Sequence, residues 1–374
     1  MRDDAHVIVV GGGPAGGSAA FFLAQAGYRV IAVEKERLPR YKVCAGGVPI
    51  AALEEFPFSF SPVVDQWVQR MSFVQGRLQI THPVPQNFLA MVMRDRFDHY
   101  ILDKAQVDVL EGHRVTQVTQ DRERVYVQVE GRSKPLRAGH VIGADGPNSR
   151  VARAIGLRRT RNMSAALEAE VDPGLAVRES FQGRVVVELG EVDRGYAWIF
   201  PKKAHLSVGI GSITKGAHSL PAHFKASMSR IGIDLGSARL KGHPLPVYLQ
   251  PEPVHQGRVL LAGDAAGLVD PLTGEGIRQA IESGRMAAEA IMYKQVDEYS
   301  RRIERVIGRD MVWADRLSRI FYARPGLAFH WLVRNRFIFR DMLRITNNSM
   351  SYKQAVKRIP LYALLALERA QLER

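Results

Sequence analysis

Apolar residues recur along this chain in two registers, and where the register changes the elements can be read. The opening run HVIVV, the turn GGGPAGG, the run SAAFFLAQAGY and the run RVIAVEK predict strand, tight turn, helix and strand. Unbroken apolar character in both strands predicts a parallel sheet covered on both faces, and Gly27 falls where the helix must stop. Between Trp67 and Val92 short alternating runs (QWVQRMSFV, RLQITHPV, FLAMVM) predict antiparallel strands, and a helix over 96–105 follows. HRVTQVTQ and RVYVQVEG alternate across a charged turn and predict a hairpin. The run HVIGADGPNSRVARAIG then predicts a buried strand that rejoins the first sheet and feeds a helix. From Ala165 to Ile213 strands dominate again (ALEAEV, RVVVEL, GYAWIF, HLSVGIGS), as a second sheet in a separate lobe. GRVLLAGDAAGLVDPLTGEGIRQAIESGRMAAEAI returns to the first lobe as strand, loop and long helix. Beyond Val296 the period is helical, broken at Pro325 and Pro360.

Composition narrows the class. With 46% hydrophobic and 24% charged residues in 374, the chain excludes disorder and low-complexity readings and is long enough for two or three packed lobes. A single cysteine excludes an internal disulfide and a cysteine cluster for zinc or iron–sulfur, and it suits a reducing, cytoplasmic compartment. The histidines show no H-x-x-x-H or H-E-x-x-H spacing, so no metal site is expected. Residues Ala5 to Tyr28 carry no Asp, Glu, Lys or Arg, but their glycines argue against a membrane span, and the acidic start argues against a secretory signal. The expectation is a soluble or peripheral protein. Net charge is +14, and from Arg301 to Arg374 there are 16 Lys and Arg against 6 Asp and Glu. Such an end suits an anionic membrane, an acidic partner or nucleic acid, or is a solvated face.

Gly11, Gly13 and Gly16 match G-x-G-x-x-G at the junction of strand and helix. Gly11 permits the turn, Gly13 lets the backbone approach a pyrophosphate, and Gly16 lets helix and strand pack closely, with the helix N-terminus facing the anion. Glu34, ending the second strand, is placed to accept a hydrogen bond from a ribose. Together they predict a dinucleotide site. Two distant motifs bear on which dinucleotide. In GADGPNSRVAR, Asp145 and Gly146 end a strand, and in LLAGDAAGLVDPLTGEGI, Gly263 and Asp264 end another. Asp264 can bind a polyol hydroxyl, and the Gly274–Gly276 turn can start a helix whose dipole favours an anion such as a reduced flavin. An extended FAD needs such second and third loops. Asp145 and Asp264 are equally suited to cap the helices after them.

At this point the chain resembles a known group. GGGPAGG, RDRFDHYILDKA, GADGPNSRVAR and GDAAGLVDPLTGEGI are similar to FAD-dependent enzymes of the p-hydroxybenzoate hydroxylase fold, and YKVCAGGVP with GYAWIFPKKAHLSVGIG resembles the geranylgeranyl reductase family. The resemblance spans roughly residues 5 to 320. It implies an α/β fold with α+β elements: a discontinuous Rossmann-type FAD-binding domain (1–65, 94–160 and 254–295), an interleaved antiparallel-sheet substrate domain (66–93 and 161–253), and a basic helical region (296–374). It implies cofactor contacts from Gly11, Gly13, Pro14, Ala15, Gly16, Glu34 and Lys35, from Arg94 and Val115, and from Asp145 and Gly146. Gly263, Asp264, Pro271, Gly274, Glu275, Gly276 and Ile277 complete the cofactor set. Cys44, Ala45, Gly46 and Gly47 would line the flavin face, with Cys44, Gly46 and Gly47 as the catalytic loop, although this chain reads Cys-Ala-Gly-Gly where the family has Cys-Gly-Gly. Tyr196, Trp198 and Phe200 would line a prenyl pocket.

The implied activity is saturation of carbon–carbon double bonds in a geranylgeranyl or polyprenyl group by hydride from reduced FAD, with NADPH or ferredoxin as electron donor. A monooxygenase or halogenase of the same fold, or a flavin-binding protein without turnover, are the alternatives. Cys44 is a candidate proton donor or a small buried apolar residue. The stripe Tyr196, Trp198, Phe200 is a pocket wall or ordinary core, and Arg94 holds cofactor or pairs with Asp95 or Asp98. In the basic end Trp331, Phe337, Phe339 and Leu343 interleave with arginines, as a lipid-facing surface or as a helix packed on its own domain. The expected partners are a prenylated or lipid substrate, a membrane surface met by these helices, and an acidic electron carrier, with no nucleic acid.

Overall fold

The computed structural model describes residues 3–157, 162–214 and 219–359. The last predicted break, Pro360, and the chain after it lie outside the described residues, as does the 158–161 junction.

Four strands, Ala5–Val10, Val30–Glu34, Leu136–Gly143 and Val259–Leu261, form the parallel centre of one sheet, and Asp108–Glu111 extends it in the same direction beyond Val30–Glu34. Their side chains are almost wholly apolar, so both faces are available for helices. The hairpin Val115–Gln120 and Val125–Val129 pairs antiparallel onto Leu136–Gly143 at its start. Helix Pro14–Gln25 packs on this sheet and against helix Ile277–Met292, where Ser18 donates to the Ile281 carbonyl at 2.8 Å. Small residues make that approach possible. A Cβ on Gly284 would lie 2.2 Å from the Ala15 carbonyl oxygen, and one on Gly17 would lie 2.8 Å from Ile101 of helix Arg94–Ala105.

The second sheet has seven strands in the order Lys241–Val247, Asn162–Val171, Leu206–Ser212, Gly195–Pro201, Arg184–Leu189, Arg70–Gln75, Leu78–Pro83. It is antiparallel except at one seam. Arg70–Gln75 pairs with Arg184–Leu189 in parallel, because the earlier hairpin is laid against a strand more than a hundred residues on. The run FLAMVM does not join this sheet. Leu89–Val92 instead lies between Gly47–Pro49 and Val64–Trp67 in a separate three-stranded sheet. All four of its residues are buried, which explains why its pattern is continuous rather than alternating.

The C-terminal helices Arg309–Ala323 and Arg336–Thr346 rest on the second sheet. Phe339 packs edge-on to Phe73 and stacks on His82 at 4.2 Å between ring centroids. Its neighbours Met342 and Leu343 join the same cluster, so the apolar face of this helix is spent on its own protein. Arg336, Arg340 and Arg344 stay exposed.

Candidate active site

A cavity of about 1180 Å³ runs between the two sheets. This exceeds the ordinary range for one small ligand, roughly 300–1,000 Å³, and leaves room for two. Its first wall is backbone. Gly11 takes φ of +106°, and a Cβ there would lie 2.3 Å from the Ala144 carbonyl oxygen. Gly16 lies behind the wall, where a Cβ would meet the Gly11 carbonyl oxygen at 1.8 Å. Helix Pro14–Gln25 begins here with proline in its first turn and no acidic side chain, so its free N–H groups point at the cavity. The Glu34 carboxylate takes Gly12 N–H at 2.7 Å and Glu36 N–H at 3.0 Å, and holds the loop in shape.

The second and third loops close on the same space. Asp145 accepts Arg150 and Val151 N–H on Oδ2, capping helix Arg150–Ala154, while its Oδ1 is buried with no hydrogen-bond partner among the described residues. The helix-capping role is therefore met with one carboxylate oxygen left over. Asp264 lies 4.0 Å from His243, and Gly274, Glu275, Gly276 and Ile277 border the cavity at the start of helix Ile277–Met292. Burial raises the Glu275 carboxyl above its ordinary value.

Of the sequence-predicted residues, the structure brings together on this cavity Gly11, Gly13, Pro14, Ala15, Glu34, Lys35, Cys44, Ala45, Gly46, Gly47, Arg94, Val115, Asp145, Gly146, Asp264, Gly274, Glu275, Gly276, Ile277, Tyr196, Trp198 and Phe200. Gly16, Gly263 and Pro271 stand one layer behind. Gly263, at φ of +59°, presses on Ala15 and Ala280. Arg94 makes the ion pair with Asp98 that was one of its two readings. It borders the cavity and grips Asp98 through two hydrogen bonds of 2.7 and 2.8 Å; burial opposes its charge, and Asp98 outweighs burial and holds its pKa above the ordinary value.

Sequence reasoning missed the groups that hold the Cys44–Gly47 loop. Lys202, 2% exposed, donates to the carbonyls of Ala45 at 2.6 Å, Val92 at 2.8 Å and Gly46 at 3.4 Å. Burial pulls its pKa down to about 8. Gly46 is obligatory beside it: φ is +66°, and a Cβ would lie 2.1 Å from the Val92 carbonyl oxygen and 2.6 Å from the ammonium. Cys44 Sγ accepts Gly46 N–H at 3.4 Å. Lys42 Nζ lies 2.8 Å from His243 Nε2, and burial with Arg94 nearby lowers it to about 8. Asp270 was missed as well: it accepts Leu272 and Thr273 N–H and the Tyr352 hydroxyl, shaping the third loop. Tyr322 donates to the Leu272 carbonyl at 2.8 Å and Tyr196 donates to that of Thr273. The sequence signal for this anchoring was Tyr322 and Tyr352 in an otherwise basic helical end.

The part of the cavity lined by the C-terminal helices is mostly apolar, with Leu317, Phe321, Ile338, Met342, Ile345 and Val356 beside Asp341, Thr346 and Tyr352. Trp331 is a predicted residue whose side chain lies outside those described. No group of three metal-ligating side chains occurs among the described residues. Among them, too, no helix is long and apolar enough to cross a membrane.

FAD fits what is present: a side-chain-free phosphate cradle at a helix N-terminus, an unpaired Asp145 oxygen, and a second helix start beyond it. The fold and this cradle define an FAD-dependent oxidoreductase, and residues 5–186 match the family model of pyridine nucleotide-disulphide oxidoreductases. The chain is 32% identical to geranylgeranyl diphosphate reductase of Rhodobacter capsulatus, over 78% of this chain and 75% of that one. It is 30% identical to menaquinone reductase of Mycolicibacterium smegmatis, over 80% and 79%. A solved geranylgeranyl bacteriochlorophyll reductase-like protein from Thermoplasma acidophilum shares the fold at a TM-score of 0.80 and 23% identity, over 96% of this chain and 99% of that one. This chain belongs to the geranylgeranyl reductase family of FAD-dependent oxidoreductases.

Proposed function

We propose that this protein saturates carbon–carbon double bonds of a geranylgeranyl or related polyprenyl group. The observation that carries the reading is the continuity of one cavity, from the phosphate cradle past Tyr196, Trp198 and Phe200 into the apolar lining of the C-terminal helices. FAD, when bound, supplies the hydride. The chain's own residues do the rest: Gly11 to Gly16 and Asp145 hold the dinucleotide, the Lys202-braced loop sets the backbone against it, and the aromatic row excludes water and aligns an apolar chain. An isolated alkene is a poor hydride acceptor, so alignment and protonation carry the reaction.

Access is from the C-terminal helices. Ile359, 37% exposed, lines the cavity, and the same C-terminal segment carries the exposed Arg340, Arg344, Lys353 and Lys357. Exposed cationic side chains on the segment that lines the apolar part suit the surface of an anionic bilayer that holds the prenylated substrate. Electrons come from NADPH or from ferredoxin, whose acidity suits the same basic surface.

The test is incubation of the dithionite-reduced protein under argon with geranylgeranyl diphosphate, a prenylated quinone and a digeranylgeranyl lipid. Products heavier by pairs of hydrogens are expected from at least one. Turnover that needs oxygen, or no heavier product from any acceptor, overturns the reading.

A further inference from the structure

The floor of the cavity is the second sheet, and its registers order the floor residues in rows. Residues paired across strands share a face. One row reads Lys241, Glu168, Gly209, Trp198, Val187, and the next His243, Ala166, Gly211, Tyr196, Leu189. In the first row glycine is required. A Cβ on Gly209 would lie 2.1 Å from Trp198 Cζ2, so the indole lies over the Leu206–Ser212 strand at Gly209, the residue paired on its other side with Glu168. The indole Nε1 is buried with no hydrogen-bond partner among the described residues. Glu168 lines the cavity beside Tyr41, Cys44, Trp198 and Phe200. It is the one carboxyl side chain of the described floor that does so, and it is 2% exposed.

We propose that Glu168 is the proton donor of this cavity, placed by the Glu168–Gly209–Trp198 row to protonate the alkene carbon opposite the one that receives hydride. The inference rests on the prenyl-reductase reading. Each saturation adds two C–H bonds in place of one C–C π bond. One bond forms with the hydride and its electron pair, so that the reduced cofactor loses two electrons. The other forms with the Glu168 proton, and the carboxylate left behind regains a proton from water. The electrostatics support this. Burial raises the Glu168 carboxyl to about 7, with Glu170 acting in the same direction, against the buried Lys202 and Lys241. Tyr41 lies near the same carboxyl, and its own pKa is raised by burial and then by the charges of Glu168 and Glu170. A carboxyl at about 7 is a fully formed acid below neutrality and still a ready donor near it.

Glu168→Gln keeps size and hydrogen bonding and removes the proton. We expect unchanged FAD affinity, a fall of about 10²-fold or more in alkene reduction, and loss of the alkaline limb near pH 7 that the unaltered enzyme shows. Equal rates with the limb retained overturn the proposal, as does transfer of the limb to Cys44→Ser. Infrared titration of the FAD-bound protein without acceptor gives a second readout. A protonated-carboxyl band that disappears on passing about pH 7 and is missing in Glu168→Gln supports the proposal; absence of such a band overturns it. If the unaltered enzyme reduces no prenyl acceptor, the functional reading fails while the infrared result still decides the state of Glu168.

Discussion

The two ends of the cavity are built by opposite means. At the dinucleotide end the wall is main chain: Gly11, Gly13 and Gly16 leave no side chain in the way, and N–H groups at the start of helix Pro14–Gln25 face the ligand. At the acceptor end the wall is side chain, set by cross-strand rows and by helices from the far end of the sequence. The first end recognises a charge pattern that never varies. On the proposed reading the second fits a reacting carbon, and it holds two buried ionisable groups, Lys202 and Glu168. At Glu168 burial of the ionised form opposes stability, which is common where structure serves chemistry, whereas at Lys202 three carbonyl hydrogen bonds offset that cost.

If the contrast holds, damage at the main-chain end should be total. Gly16→Ala places a methyl carbon 1.8 Å from the Gly11 carbonyl oxygen, and we expect protein that retains no FAD; yellow protein of normal occupancy would break the comparison. Asp264→Ala, on the polyol reading, should also lose most of its flavin, as measured by absorbance after gel filtration.

Side-chain changes at the other end should be graded. Lys202→Met leaves three carbonyls without their shared donor and should lower unfolding free energy by about 2 kcal/mol, measured by urea titration, while slowing reduction by loosening the Cys44–Gly47 loop. Glu168→Gln should do the reverse for stability. Because the folded carboxyl titrates above its unfolded value, native protein binds the extra proton between about pH 4.5 and about pH 7, and stability falls as pH rises through that window. The variant should be more stable than the parent by roughly 1–3 kcal/mol at about pH 8 and no more stable at about pH 4, by the same titration. Smallest of all, Tyr322→Phe removes one hydrogen bond to the Leu272 carbonyl and should cost about 1 kcal/mol with little change in bound FAD.

How much was legible follows the same division. Gly11, Gly13, Gly16, Glu34, Asp145 and Asp264 could be found because strand, turn and helix are local and their residue types are dictated by backbone shape and charge. Glu168 in ALEAEV reads as the outward acid of an alternating strand, and Lys202 in PKKAHL as one of two turn lysines. Only the register of strands far apart in sequence turns Glu168 inward, and only the approach of the Ala45–Gly46 loop and Val92 gives Lys202 its buried partners. The parallel seam between Arg70–Gln75 and Arg184–Leu189 and the removal of Leu89–Val92 to its own sheet are equally non-local. The aromatic stripe was visible, but whether it faced core or pocket was not, since both give period two.

One consequence concerns Gly209, which is hidden beneath the Trp198 ring and absent from the cavity lining. The breadth of the acceptor channel is governed from behind, by a residue no substrate meets. A single methyl there would tip the indole off its bed, so selectivity among acceptors of different bulk can be retuned without altering any group that the acceptor touches.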